Sequence, residues 1–221
     1  MAAAGSVLRP VAVWYLRRRY SILFYTLLLT MVAAPVLHTL RLTGTLFESL
    51  VAASLLAALV PADAVRSSPA LLVLITAAWL ARPVTDWLGH RFLSEITLGI
   101  WILIGLLAAV FALRFAMTAT KIDAEHLCAA LSAYLLAGTC CGLLYWVIEQ
   151  VQPGSFVVIG DFSQTSAIYF SFVTLATLGY GDIAPRADVA RGLAVLEGVG
   201  GQLFLAVLVA RLVSLYSKSE N

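Results

Sequence analysis

The stretch Thr177-Leu178-Gly179-Tyr180-Gly181-Asp182 holds the most specific chemistry in the chain. Its two glycines are one residue apart, the spacing a backbone needs to alternate between right- and left-handed conformations, because residues with a Cβ resist positive φ. A strand that alternates in this way turns successive carbonyl oxygens toward one axis. Such a row can replace the water around a dehydrated cation. One strand completes only part of each oxygen cage, and the sequence holds one such loop with no repeat of it. Several copies of the chain must therefore share the axis.

Other reactive constellations are few. Cys128, Cys140 and Cys141 fall in one apolar run with no His or acidic ligand at metal-site spacing, so they read as buried free thiols. Intramembrane enzymes need paired acids, Ser with His, or His-rich metal sites. Glu48 and Glu197 have no such partners, so neither an enzyme nor a bound cofactor is expected. Glu197 stands in the last apolar run, where a charge costs about 3 kcal/mol. It is expected to point behind the glycine loop, toward hydroxyls such as those of Ser171 or Thr174, or to be protonated; a second cation site is the alternative. His126 is the one plausible pH sensor, with a solvated interfacial His as the plainer reading.

Composition explains where this chemistry sits. Of 221 residues, 62% are apolar and 12% charged, with mean hydropathy +0.96. Soluble domains run near ~45–50% apolar and ~25% charged. An ordinary cytosolic enzyme, a disordered chain and a nucleic-acid binder are excluded, the last also by a net charge of only +2. The chain belongs in a membrane.

A helix needs about 20 mostly apolar residues to cross ~30 Å of hydrocarbon, so the few charges act as punctuation. They predict spans at Tyr20 to Leu40, Leu42 to Val60, a weaker third beginning at Ser67 and continuing toward Trp87, Ile96 to Leu113, Leu127 to Ile148, and Asp188 to Tyr216. The first is expected to be a retained anchor, because its apolar run exceeds the ~7–15 residues of a signal-peptide core. Phe162 to Gly181 is also uncharged, but alternating glycines do not continue a helix. A short helix over Ser163 to Ala176 reaches only partway, so the chain must turn back. Non-helical backbone at membrane depth is tolerated only where protein buries it or it lines a watery path. Six spans put both termini on one side, with nine Lys and Arg there against five opposite. This predicts cytoplasmic termini.

The loop, with a short helix before it and a long apolar helix after it, resembles the signature of potassium channels. Leu178 stands where the family more often has Val. The resemblance covers about Leu127 to Tyr216 and implies an all-α membrane protein: six transmembrane helices plus a re-entrant pore helix and filter, assembled as a tetramer. Its implied parts are an outer helix (127–149), a pore helix (163–176), a filter (177–181) and an inner helix (188–216) within a pore domain over 121–216. Residues 1–19 form a cytoplasmic segment, 20–120 a four-helix transmembrane domain and 217–221 a short tail. The resemblance further implies that the carbonyls of Thr177, Leu178, Gly179 and Tyr180, with the Thr177 hydroxyl, bind K⁺, and that Gly181 completes the filter. Each copy then gives a quarter of each cage, which makes three further copies, K⁺ and the bilayer the expected partners. The cell membrane, plasma or bacterial inner, is the expected location.

In relatives the acid after the filter bonds to an aromatic residue of the pore helix; by spacing these are Asp182 and Tyr169. Val173 stands where some relatives have a bracing Glu. Gly201 lies where many inner helices carry a hinge glycine, with bending and close packing both open as readings. If it faces the pore, Gln202, Leu205 and Val209 line the cavity, the last two as a gate. Leu93 to Met117, around the fourth span, holds a single arginine, Arg114, at its cytoplasmic end, so strong voltage dependence is not expected. A weakly selective cation channel and a non-conducting regulatory subunit remain as alternatives.

Overall fold

The computed structural model describes residues 18–33, 91–118 and 123–219. The second and third expected spans lie outside the described residues, as do Glu48 and residues 34–40 of the first span. Described elements, in chain order, are α1 (18–33), α2 (Arg91–Met117), α3 (Ala124–Val151), β1 (Phe156–Val158), α4 (Gln164–Leu175), β2 (Ile183–Pro185) and α5 (Asp188–Ser219). Among the described residues three helical segments are long and apolar enough to cross a membrane: Ile96–Met117, Ala124–Val151 and Asp188–Leu215.

Helix α1 buries Tyr20, Leu23, Leu27 and Thr30, a stripe at helical spacing. Its other side still exposes Tyr25, Leu29 and Val32. A helix apolar all round suits lipid on the face protein does not cover. The buried stripe joins one core with Trp101, Ile104, Ala108 and Ala112 of α2 and Ala129, Ala130, Ala133 and Leu136 of α3. Alanines on α2 and α3 let the two backbones come close, the usual means of helix association in lipid.

At one end of this bundle the helix termini cap one another. Glu125 accepts from the backbone N–H of Tyr20 at 3.1 Å and of Ser21 at 3.3 Å, and from the Ser21 hydroxyl. Its negative charge thus meets the amide end of α1. Asp123 is the N-cap of α3, accepting from the His126 N–H at 2.9 Å. The His126 ring stacks on Phe115, and Phe115 on Tyr20, with centroids 4.4 and 4.7 Å apart. Arg211 of α5 donates to the carbonyl of Met117, a cation at the C-terminus of α2.

Between α3 and α5 runs a detour that is not all helical. β1 and β2 pair antiparallel, with Val157 opposite Ala184, an element the sequence reading lacks. The Ser155 carbonyl accepts from Arg186 at 2.7 Å and Ala187 at 3.1 Å. Glu149 accepts from the amides of Gly154 at 2.8 Å and Phe156 at 3.1 Å. The two ends of the detour are therefore pinned together, and α4 with residues 176–182 forms a closed excursion between them.

Candidate ion pathway

Helix α4 is twelve residues long, roughly 18 Å at 1.5 Å per residue, which is short of a bilayer. Its start is fixed by a capping box in which Ser163 Oγ accepts from the Ser166 amide and Ser166 Oγ from the Ser163 amide. Two glycines of α3, four residues apart, give it a seat. A Cβ at Gly142 would come 2.5 Å from Ile168 Cα, and one at Gly138 2.7 Å from the Phe172 ring. On the far side Phe170 packs edge-on against Tyr145 and Phe156.

The helix ends by handing its last carbonyls to the following loop. Thr177 N–H donates to Thr174 O at 3.0 Å and Leu178 N–H to Val173 O at 2.9 Å. Next comes the alternation. Thr177 has φ +55°, Gly179 +59° and Gly181 +78°, while Leu178 and Tyr180 between them keep negative φ. Cβ atoms at Gly179 and Gly181 would meet nothing within 4 Å, so these glycines serve backbone conformation and not packing. No backbone N–H among the described residues donates to the carbonyls of 177–180. The strand is also uncovered, with Leu178 55% and Tyr180 66% exposed.

The Tyr169 hydroxyl lies near the Asp182 carboxylate, close enough for the two to interact. The Tyr169 ring lies nearly parallel to that of Tyr180, centroids 6.5 Å apart. Val173 is buried. The structure thus brings Tyr169, Tyr180 and Asp182 together.

Helix α5 runs past the other side of α4. A Cβ at Gly201 would lie 2.7 Å from Leu175 Cδ1 and 3.0 Å from the Leu175 carbonyl, and one at Gly198 3.8 Å from the Thr174 carbonyl. Of the two readings open for Gly201, close packing has a visible contact, and α5 is one unbroken helix there. Gln202, Leu205 and Val209 are exposed. The described residues leave them uncovered.

Glu197 is 6% exposed. Ser171 Oγ meets Glu197 Oε1, and Tyr145 Oη donates to Oε2 at 2.6 Å. The Ser171 contact is among those the sequence named. Tyr145 and the two α3 glycines were missed, although glycines at i and i+4 in an apolar helix are a readable packing signal. Among the described residues no group of three His, Cys, Asp or Glu could hold a metal.

A family model described as "Ion channel" matches residues 129–218. The chain is similar to the inward rectifier potassium channel Kirbac3.1 of Paramagnetospirillum magnetotacticum, 36% identical over 85 residues. It is also similar to two-pore potassium channel 1 of Arabidopsis thaliana, 33% identical over 81 residues. These matches take in 38% and 37% of this chain but only 25% and 20% of the respective relatives. No solved structure matches the chain. The residues matched by the family model contain α4, the glycine strand and all of α5 but its last residue. They support the potassium-channel family and a channel, not an enzyme.

Proposed function

We propose that this chain is one subunit of a homotetrameric, potassium-selective channel that conducts K⁺ passively across the cell membrane. The observation that carries the reading is the strand 177–181: alternating handedness, carbonyls without donors, and no cover from its own chain. Uncovered backbone cannot face lipid, so water, ions and other copies must complete its surroundings. Similarity to two potassium channels supports K⁺ as the ion.

In this reading the carbonyls of Thr177, Leu178, Gly179 and Tyr180 and the Thr177 hydroxyl replace the hydration shell of K⁺. The carbonyl end of α4, carrying partial negative charge, favours the cation before it enters the strand. Asp182 and Tyr169 brace the outer end of the filter, and Val173 packs behind it. Gln202, Leu205 and Val209 line the cavity below, the last two as a dewetting constriction. Gly201 seats the inner helix on the pore helix. Both termini are cytoplasmic, on the side richer in Lys and Arg.

The test is K⁺ flux into liposomes holding the purified full chain. Wild type is expected to pass K⁺ and discriminate against Na⁺ in the reversal potential, while Thr177→Cys and Gly179→Asp abolish or degrade both. Equal flux from wild type and the variants would refute the filter assignment.

A further inference from the structure

Behind α4, five oxygens of four residues form a row across three helices. Ser171 Oγ is 2.6 Å from the carbonyl of Gly138 on α3. The same Oγ is in hydrogen-bond contact with Glu197 Oε1 on α5, and Glu197 Oε2 is 2.6 Å from Tyr145 Oη on α3. Ser171 and Tyr145 are wholly buried.

These three contacts need three protons, one in each gap. A carbonyl supplies none, and each hydroxyl supplies one. Tyr145 fills the gap to Oε2, and Ser171 fills one of its own two gaps. With a carboxylate at 197, the remaining gap would set lone pair against lone pair in a dry site. The missing proton belongs on Glu197. We propose that Glu197 is an un-ionised carboxylic acid that donates to Ser171 Oγ, with Ser171 donating to the Gly138 carbonyl and Tyr145 donating to Glu197 Oε2. The acid then latches α5 to α4 and to α3 without placing a charge in the membrane.

The surroundings agree. The groups facing Glu197 from α3 are Tyr145, the Cys141 thiol and, farther off, Tyr134, and from α4 the Ser171 hydroxyl. None of these is a cation. Two ion pairs among the described residues, Asp123 with His126 and Asp188 with Arg191, lie elsewhere. A buried carboxylate with no cationic partner is disfavoured, whereas a neutral acid keeps every hydrogen bond. Its service to the filter, holding pore helix and inner helix as one body, rests on the channel reading; its protonation does not.

The experiment is infrared difference spectroscopy of the full chain in lipid, wild type against E197Q, at neutral pH. Expected is the C=O stretch of a protonated carboxyl, lost in E197Q. In S171A it persists but moves to higher frequency, because the acid proton has lost its acceptor. A difference spectrum with carboxylate bands only would overturn the proposal, as would an S171A band that does not move. Thermal melting gives an independent readout. E197Q, which offers one donor and one acceptor, should melt near wild type and E197L lower; an E197L protein as stable as wild type would remove the latch. Absence of K⁺ flux from wild type would fail the channel reading and leave the infrared result standing.

Discussion

Thr177 is the only described non-glycine residue with positive φ, and it is β-branched, the side-chain type for which that region is most strained. Holding an L-residue there costs about 1–2 kcal/mol. Strain of this kind persists where a side chain is needed for function, and here the hydroxyl is the one oxygen of the proposed path that the backbone cannot supply. Thr177→Gly is therefore expected to keep the assembly's thermal stability within about 1 kcal/mol of wild type, the relieved strain offsetting the entropy cost of glycine. Selectivity should fall. Thr177→Ser, which keeps the hydroxyl, should retain it. Melting and K⁺/Na⁺ reversal potentials on both variants check this, and a selective Thr177→Gly channel would show that the hydroxyl is not used.

The elements succeed through what they leave out. Gly142 and Gly138 make a cradle on α3, and the nearest atom to a Cβ at Gly142 is the backbone Cα of Ile168, which no rotamer change can move aside. Gly142→Leu is expected to unseat α4, costing at least the 1–3 kcal/mol typical of overpacking. Gly99→Leu, whose Cβ would meet nothing within 4 Å, should leave melting and assembly unchanged. Equal behaviour of the two would mean that α4 is not held by this contact. The start of α3 makes a second case. Asp123 caps it, and the His126 backbone N–H holds its carboxyl below the ordinary carboxylate range despite some desolvation. A depressed folded value means that the cap's contribution is complete above the ordinary value of 3.8 and is lost as pH falls through the folded one. Asp123→Ala should cost about 1 kcal/mol at neutral pH, whereas Asp123→Asn should keep the cap and remove this part of the acid sensitivity, as melting against pH will tell. Much of this level was legible in the sequence: the positions of α3, α4 and α5 follow from where charges, Pro and Gly interrupt apolar runs, and the strand from glycine spacing. The three-residue strands were not, because a period of two needs more residues than that to show. Tyr145 was hidden for another reason. An aromatic in an apolar run carries no mark of the acid, 52 residues away, that it will meet.

At the scale of the whole molecule, the described residues leave large apolar side chains and polar backbone uncovered. α5 exposes Val195, Leu196, Val199, Leu203, Val207 and Val213, and lipid alone could cover these. It cannot cover the polar backbone of 177–181, and the proposal of further copies rests on that strand. The bundle that precedes the pore module bears on how such an assembly opens. Moving one elementary charge through 100 mV is worth about 2.3 kcal/mol, so steep voltage gating needs several charges per subunit on a segment that moves. Between Ile96 and Met117 the one charged side chain is Arg114, in the last turn of α2. There it can reach the interface without crossing the field. The contact from α5 to α2, Arg211 on the Met117 carbonyl, likewise lies at the helix end and joins a cation to a dipole terminus, not to an arginine ladder. Conductance in planar bilayers is therefore expected to change only shallowly with voltage. Neutralising Arg114 to Gln should alter the slope by no more than a single charge per subunit allows. A steep conductance–voltage curve, with several gating charges per subunit, would show that α2 or the residues before it carry a sensor of another kind.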